Sequence, residues 1–532
     1  MSTTIIYKDV AAGAKEAATA AMPNVQPFSN LENLKTSPAV PAVATLEQDY
    51  WSLDGSFGLF PDGYTGDWGV WSDVLSGADG TLFPSPVLTL TLPQPVSSDG
   101  ITLRFDEYGP TWASEVGIEW LSGGTTKSTA VFYPDGPEYT CSEIVSDYDE
   151  VIITFSALNR PGQYLKLTDL DFGATVRLTG NQLRNVHLYQ TANPISQTVE
   201  INTLSCTVSP GAALAFERRQ ELDVYQDGAL QGVFYLTRTR QVGTMTYEIE
   251  AEDALSLLDD EQHLGGMYYD ESAPTLIADI MGAVPYALDP SFSGATVTGY
   301  LPVASRRENL AQVAFAIGAV VDTSGSAVVK IKPASEAVTA AFDRSTAYDN
   351  GTIEKQDPAT SVEVTAHAYY LNFQRTQTLY NDTLNGTALV TFDAPMHDLQ
   401  ITGGTIVSSG ANHAVISGTG SLVVLTGDVY IESKRVYKAD NPAAPAGSRP
   451  NVVQVSNATL VSLNNVQDVL ARVLAYYSSR EKLNIRLILG SAMPGDLVTV
   501  SGPFGGTKTG YLESAEINLS RKRVGEAVIA CL

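Results

Sequence analysis

Cysteine and histidine are scarce in this chain of 532 residues, and both are scattered. The three cysteines, Cys141, Cys206 and Cys531, are odd in number, far apart and in no CxxC spacing. They therefore predict neither a disulfide framework nor a zinc site, and we expect reduced residues in the core. The histidines show no HxxH or HExxH spacing, so a metal-hydrolase centre has no support and no cofactor is expected. The histidines are His187, His263, His367, His397 and His413.

Long hydrophobic runs are also missing. No window approaches the eighteen uncharged apolar residues that a membrane-spanning helix needs, at about 1.5 Å of rise per residue. The N-terminus, MSTTIIYKDVAAGAKEAATAAM, has no continuous apolar segment of the kind found in signal peptides. We expect a protein that is made in a cytoplasm and carries no membrane anchor.

Basic residues are few. The chain has 32 lysines and arginines against 59 acids, a formal charge of -27. This charge repels phosphate backbones, and no basic stripe of the kind that grips DNA is present. The acidity is compatible with a surface past which DNA slides without sticking, or simply with a soluble protein.

Motifs for catalysis are missing as well. There is no GxSxG, no GxxxxGK[ST] and no GxGxxG after a strand, the usual signals of a hydrolase elbow, a P-loop and a dinucleotide site. Adjacent carboxylates such as Asp106 and Glu107 face opposite sides of a strand, and a glycosidase would need two carboxylates across one groove. We expect a protein that is not an enzyme.

What the chain does contain is β-forming sequence. Val-, Thr- and Ile-rich runs recur between turn signals, in a chain with 44 glycines, 27 prolines and 25 tyrosines. This composition favours strands over helices, and the length is enough for several domains. We predict a mainly β, multidomain protein.

The stretch 221–260, ELDVYQDGALQGVFYLTRTRQVGTMTYEIEAEDALSLLDD, shows the pattern most clearly. Two alternating runs flank the turn Gln226-Asp227-Gly228, which predicts a β-hairpin. A third strand follows, with Met245, Tyr247 and Ile249 on one face. The period then changes from 2 to a short helical pattern at Glu252 to Leu258.

This stretch resembles the first hub domain of tailed-phage tail-tip proteins, the baseplate hub or tail-associated (Tal-like) family. Two further segments are similar to that family. GYLPVASRRENLAQVAFAIGAVV resembles the layer between its two barrels, and contains the capping box Ser305 to Glu308. SAMPGDLVTVSG with GYLESAEINLS resembles its closing barrel. The resemblance implies two hub β-barrels around a small α+β layer.

The resemblance and the composition shifts together predict six segments. They are an N-terminal arm at 1–45, a β-sandwich at 46–173, a first hub barrel at 174–260, an α+β layer at 261–344, a second hub barrel at 345–373 with 439–532, and an inserted β-module at 374–438.

The segment 46–173 contains all five tryptophans and at least six strand-like runs, which predicts a β-sandwich. Its entry, WSLDGSFGLFPDG, and its strand order are similar to galactose-binding-like jelly-roll modules. Indole rings beside carboxylates in a Gly-rich loop suit a sugar, although tryptophans in a sandwich more often belong to the core. The loop DGYTGD also offers oxygens to Ca²⁺ but lacks the EF-hand pattern. The candidate glycan-binding residues are Trp51, Asp62, Tyr64, Asp67, Trp68 and Trp71.

The family resemblance also implies partners. Hub proteins form homotrimers, in which two barrels per chain give six pseudo-equivalent units that continue the tail tube. The partners would then be distal tail or tube proteins, the tape measure and receptor-binding proteins, in a virion through whose lumen DNA passes. The alternative is a lectin-like protein that binds host surface glycans through the N-terminal sandwich.

Overall fold

The protein is mainly β, as the composition predicts: strands far outnumber the four α-helices of the described residues in this computed structural model. The structure describes residues 2–8, 14–27, 29, 43–56, 58–60, 69–106, 109–173, 175–195, 197–210, 216, 218–348, 351–357, 359–372, 375–445, 447–478, 481–501, 505–519 and 523–532.

The chain divides into two compact units. One contains Ile5–Leu178 and Pro210–Leu222, and we call it the N-terminal unit. The other contains Met1–Thr4, Thr179–Ser209 and Asp223–Leu532, and we call it the C-terminal unit.

The described residues up to position 179 form mostly strands, with a short helix α1 at Ala14–Ala17 and a 3₁₀ turn at Gln48–Tyr50. The strands are β1 Thr3–Lys8, β2 Thr19–Ala21, β3 Val43–Ala44, β4 Leu59–Phe60, β5 Val70–Leu75, β6 Val87–Phe105, β7 Ala113–Ser122, β8 Thr125–Phe132, β9 Glu138–Leu158, β10 Tyr164–Asp171 and β11 Thr175–Thr179.

One antiparallel sheet organises the N-terminal unit, in the order β5-β10-β6-β9-β7-β8. The long strands β6 and β9 pair along most of their length, with irregularities where the register shifts near Val96 and Ser98. Alternating residues such as Leu88, Ile153 and Trp120 are fully buried on the core side. The galactose-binding-like identity of this unit stays a prediction.

The N-terminal arm contributes to the same sheet. Strand β2 pairs with β6, with Thr19 opposite Thr91, and Ala14 lies in the core of this unit. Lys15 forms ion pairs with Asp169 and Asp171, which also bind Arg104. Residues 14–21 are therefore an ordered part of this unit.

The described residues after position 179 form three α-helices and the remaining strands. The helices are α2 Ala273–Met281, α3 Arg306–Ile317 and α4 Val466–Tyr477. The strands are β12 Leu183–Thr191, β13 Thr203–Val208, β14 Glu221–Gln226, β15 Ala229–Gly243, β16 Thr246–Asp253, β17 Gln262–His263, β18 Gly266–Ser272, β19 Tyr286–Leu288, β20 Thr296–Leu301, β21 Ala304–Ser305, β22 Ala319–Asp322, β23 Val329–Pro333, β24 Val338–Phe342, β25 Thr352–Lys355, β26 Ser361–Tyr370, β27 Thr376–Thr391, β28 Met396–Thr402, β29 Gly404–Ser409, β30 His413–Val429, β31 Ile431–Asp440, β32 Val452–Val455, β33 Glu481–Ile488, β34 Leu497–Ser501, β35 Thr507–Asn518 and β36 Val524–Cys531. Short 3₁₀ turns lie at Gly180–Gln182, Ala254–Asp259 and Pro290–Phe292.

A continuous sheet dominates the C-terminal unit. Its strands follow the order β14-β15-β16-β13-β12-β35-β36-β33-β25, and β35 also pairs with β34, which pairs in parallel with β24. Strands from the first predicted barrel segment and from the end of the chain therefore lie side by side in one sheet.

The predicted hairpin is confirmed at β14 and β15. The turn residues Asp227 and Gly228 have φ of 50° and 83°. Positive φ at both central positions is what a two-residue hairpin turn needs, and Asp-Gly adopts it readily. The third strand, β16, buries Tyr247 and Ile249, and then ends in the 3₁₀ turn Ala254–Asp259.

The α+β layer follows. Ser305 and Glu308 form the predicted capping box of α3, and Gly318 ends this helix at a φ of 79°. Helices α2 and α3 pack around a core that includes Ile277, Leu310 and Ile331. The sequence pattern is sufficient to predict α3, because the residues that begin and end this helix lie within or next to it.

One predicted grouping differs from the structure. Strand β26, which we predict in the second barrel, pairs instead with β31 and β32 in a separate three-stranded sheet. The reason is its apolar face: Val362 and Val364 pack with Val469 of α4 in a core of their own.

Most of the segment predicted as an insertion forms a sheet of its own, although its last strand, β31, pairs with β26. Strands β27, β28 and β29 all pair with the long central strand β30. Ile416, Val423 and Leu425 lie in a small separate core. The buried side chain of Asn412 donates hydrogen bonds to the carbonyls of Leu264 and Leu301, which tie this module to the α+β layer.

Candidate functional surface

One side of the continuous sheet is polar from β15 to β33, and we call it the polar face. Its exposed or half-buried side chains alternate with buried apolar ones along each strand. It comprises Arg238, Arg240, Glu248, Glu250, Glu252, Thr203, Ser205, His187, Tyr189, Glu516, Asn518, Glu526 and Arg486.

The strand register aligns these side chains in rows. Glu250 lies opposite Arg238 on one side and Ser205 on the other, and Ser205 lies opposite His187. The side chains between them point into the core, where Leu188, Leu204 and Ile249 are almost fully buried. A slip by one residue would bury the charged row, so burial of one face determines the register.

The seam between β12 and β35 makes the polar face continuous. Tyr189 lies opposite Glu516, and His187 lies opposite Asn518, whose side-chain amide is 3.4 Å from His187 Nε2. These strands are more than 300 residues apart in the chain. The seam therefore unites the two segments that we predict as separate hub barrels.

Acids outnumber bases on this surface, with five glutamates against three arginines. Each arginine lies beside a glutamate: Arg238 is 3.7 Å from Glu250, Arg240 Nε is 2.9 Å from Glu248, and Arg486 is 3.9 Å from Glu526. These pairs are solvent-exposed and contribute little to stability. Their effect is to leave the face mildly acidic and without a basic patch.

Two like charges face each other on the polar face. Glu516 and Glu526 are directly opposite in β35 and β36. Like charges in this position destabilise a sheet by roughly 0.2–1 kcal/mol.

Removing one of these charges is expected to stabilise the protein. Glu516→Gln should raise the free energy of unfolding by about 0.2–1 kcal/mol, because the repulsion across the strands disappears. Chemical denaturation at low salt measures this. Glu250→Gln is the matched control, since Glu250 opposes Arg238 and its loss should be neutral or slightly destabilising. A less stable Glu516→Gln protein would contradict the argument.

The predicted glycan-binding residues are placed as follows. Asp62, Tyr64, Asp67 and Trp68 lie outside the described residues. Trp51 is 45% exposed, and its indole N–H donates to the carbonyl of Leu46 at 3.0 Å. Trp71 is only 2% exposed, so its ring offers no open face to a sugar. Glycan binding at Trp51 and the neighbouring loop stays a prediction.

Beneath Trp71 is a buried ion cluster that sequence reasoning missed. Lys166 Nζ lies 4.8 Å from the Trp71 ring centroid, 2.8 Å from Glu47 and 3.4 Å from Asp106. Burial, together with Asp106 and Glu47, raises the pKa of the nearby Tyr50 to about 12. No local pattern signals such a cluster, because Lys166 lies between two leucines in an ordinary strand.

Three side chains of the C-terminal unit lie close enough together to bind one metal ion. One atom each of His397, Asp398 and Asp428 lie within 4.8 Å of one another. However, His397 Nε2 accepts from the backbone N–H of Asn372, and Nδ1 is 2.9 Å from Asp398. Both ring nitrogens are already used in hydrogen bonds, so we assign no metal to these residues.

No helix among the described residues has the length and apolar character needed to cross a lipid bilayer.

Neither a protein-family model nor a curated protein matches the sequence. In structure the chain is similar to phage tail proteins. A tail protein from Neisseria meningitidis has 11% identity and a TM-score of 0.42, with 65% of this chain and 92% of that chain covered. A prophage tail protein from Listeria monocytogenes has 10% identity and a TM-score of 0.40, with 66% and 90% covered. A 43 kDa prophage tail protein from Shewanella oneidensis has 10% identity and a TM-score of 0.39, with 67% and 94% covered. Likenesses of this strength assign no function to the chain.

Proposed function

We propose that this chain is a structural virion protein, the hub of a phage tail tip, and that three copies form a ring whose lumen is lined by the polar face. The observation that carries the proposal is the seam between β12 and β35, which turns two strand groups into one wide sheet. Each copy would contribute two adjacent arcs to the ring. This agrees with the resemblance of the sequence segments to tail hubs.

The division of the sheet into two faces suits a tube wall. One face packs on apolar cores, and the other is polar, exposed and continuous from β15 to β33. The wall of a lumen needs a polar, solvated inner face and an outer face that packs against the rest of the protein. An excess of carboxylates keeps phosphate groups from binding, so DNA passes without being held.

Ring closure needs a sheet edge that meets the next copy. Among the described strands, β25 has a single sheet neighbour, β33, and its residues Thr352, Glu354 and Lys355 are exposed. Such an edge has free backbone donors and acceptors that pair readily with another strand. We propose this edge as the contact between copies.

The role that we propose is structural rather than catalytic. Other tail proteins would dock on the ring, and the N-terminal units would be available to receptor-binding proteins or host surface glycans. The protein would then be located at the tail tip of the virion.

Purified protein is expected to be a homotrimer. Its mass from light scattering should be about three times that of one chain, and negative-stain class averages should show a three-fold ring with a central hole. A compact monomer at every concentration would contradict the proposal.

Two proline variants of β25 sharpen this test. The backbone N–H groups of successive strand residues point to opposite sides, so only one of Ile353→Pro and Glu354→Pro removes a donor from the open edge. That variant should keep a folded chain and weaken trimer formation, whereas the other should disturb the pairing with β33. Equal trimer stability in both variants would place the contact elsewhere.

A further inference from the structure

The C-terminal unit contains a cleft that the hub proposal does not use. Its volume is about 570 Å³, within the range of roughly 300–1,000 Å³ usual for small-molecule sites. Residues from β20, β26 and β31, from the segment before β27, from the loop between β27 and β28, and from the segment before α4 line it, together with Tyr430 between β30 and β31. Its walls include three tyrosines and three charged residues: Tyr300, Tyr369, Tyr430, Arg375, Asp393 and Glu432.

Aromatic rings form part of the wall and are held in place. Tyr300 is only 8% exposed, and its ring packs on that of Tyr369 with centroids 5.7 Å apart. The Tyr430 ring is held edge-on against His397, at 4.8 Å between centroids. The cleft therefore offers rigid, partly apolar surface, which is the kind that binds the C–H face of a sugar ring.

Glu432 is already engaged by its neighbours. One of its oxygens lies 2.7 Å from His367 Nδ1 and accepts a hydrogen bond from the Tyr369 hydroxyl at 3.2 Å. The other is 3.0 Å from Lys434. Burial opposes the charge of Glu432, but the hydrogen bonds from His367 and Lys434 outweigh it and lower the pKa of this carboxyl. These contacts make it a fixed part of the wall.

Arg375 and Asp393 differ from Glu432. Within the described residues, neither side chain makes a hydrogen bond or an ion pair, although both line the cleft. They do not pair with each other either. Because both side chains line the same cleft, one ligand can contact the two of them.

The charges in the cleft decide the class of ligand. An anion that approaches Arg375 would also meet Asp393 and Glu432, and a cation that approaches Asp393 would meet Arg375 and Lys434. An apolar ligand would remove these charges from water without compensation. A neutral molecule with several hydroxyl groups donates to the carboxylate, accepts from the guanidinium, and stacks on a tyrosine.

We propose that this cleft binds a neutral saccharide, one or two sugar units long, with Arg375 and Asp393 as its polar contacts and tyrosine rings as its wall. This site is separate from the tryptophan-rich segment near Trp51. It also goes beyond the hub proposal, because it does not depend on ring formation.

The test uses the full-length protein and saturation-transfer NMR with a panel of single sugars at millimolar concentration: glucose, galactose, mannose, rhamnose and N-acetylglucosamine. At least one sugar should receive saturation. Arg375→Gln and Asp393→Asn should each weaken its binding about tenfold, the usual effect of losing one charge-assisted hydrogen bond. Arg344→Gln serves as the control and should leave this signal unchanged, since Arg344 is an exposed arginine outside the cleft. Trp51→Ala is measured beside it, because Trp51 belongs to the other predicted sugar site.

Two results would overturn the proposal. The first is no saturation transfer to any sugar of the panel, and the second is a signal that survives in both Arg375→Gln and Asp393→Asn. A signal lost only in Trp51→Ala counts as the second result and transfers sugar binding to the N-terminal unit. Arg375 and Asp393 are exposed, so we expect both variants to fold normally. The melting temperature of each variant checks that a lost signal is not caused by misfolding. The mass measurement of the hub proposal is independent of all these outcomes.

Discussion

Replacing Lys166 by methionine is expected to lower the free energy of unfolding of the N-terminal unit by about 3–5 kcal/mol. The Lys166 side chain is 1% exposed and that of Glu47 is 0% exposed, so the substitution leaves a buried carboxylate without its counter-charge. Glu47 would keep only neutral partners, including the backbone N–H of Tyr164 at 3.1 Å and the Thr45 hydroxyl. Neutral donors do not replace a cation beside a carboxylate that is fully buried.

Unfolding by denaturant measures this loss, and the fluorescence of Trp71, 4.8 Å from the ammonium, reports on the same place. Arg160→Met is the matched control. Its ion pair with Asp49 has side chains that are 40% and 47% exposed, so its removal should cost less than about 1 kcal/mol. The double variant Lys166→Met, Glu47→Gln should recover part of the stability. A loss of less than about 1 kcal/mol in Lys166→Met would refute a paired, buried charge.

Stability of the C-terminal unit is expected to fall as the pH rises from about 4 to about 7, because of Asp253. This carboxyl is 1% exposed, and burial raises its pKa from 3.8 to about 7 against the opposing effect of its hydrogen bonds. The donors are the backbone N–H groups of Asn202 and Leu255, at 2.9 and 3.0 Å, and the Thr323 hydroxyl at 2.5 Å.

The folded and the unfolded chain release the proton of Asp253 at different pH values. Below about pH 4 the carboxyl is protonated in both the folded and the unfolded chain. As the pH rises towards 7, the unfolded chain releases this proton while the folded protein keeps it, so unfolding becomes more favourable. Above the pKa of Asp253 in the folded protein, the loss of unfolding free energy relative to low pH stays constant, on the order of a few kcal/mol.

The measurement is the difference in unfolding free energy between the natural protein and Asp253→Asn at several pH values from 4 to 8. The asparagine does not titrate, so the difference isolates this one group from the other 58 acids. Asp253→Asn should be less stable at low pH, because its amide N–H faces the donor of Asn202, and this deficit should shrink as the pH rises. A pH-independent difference would show that Asp253 is ionised throughout.

Local patterns were enough to predict several elements. The hairpin at β14 and β15 follows from Asp227-Gly228 between two alternating runs, and α3 follows from its capping box and the terminal Gly318. In each case the residues that decide the structure lie within a few positions of one another. The mainly β composition is predictable for the same reason.

Grouping of the strands was harder to predict. Strand β26 has the alternation expected of a barrel strand, but alternation states only that one face is buried, not what covers it. In the structure α4 covers that face, about 100 residues further along the chain. The predicted glycan-binding residues show the same limit. The local sequence does not distinguish an exposed tryptophan, such as Trp51, from a buried one, such as Trp71.

The sequence by itself determined the mainly β class of structure, the two ends of α3, the hairpin turn between β14 and β15 and the acidic character of the chain. Tertiary structure alone decided three features: the seam that joins β12 to β35, the burial of Lys166 with Glu47, and the cleft that brings Arg375 and Asp393 together. Each of these depends on contacts between residues far apart in the chain. The periodicity of a strand or helix indicates which of its sides is apolar. Which other element covers that side is determined only by the packing of the whole chain.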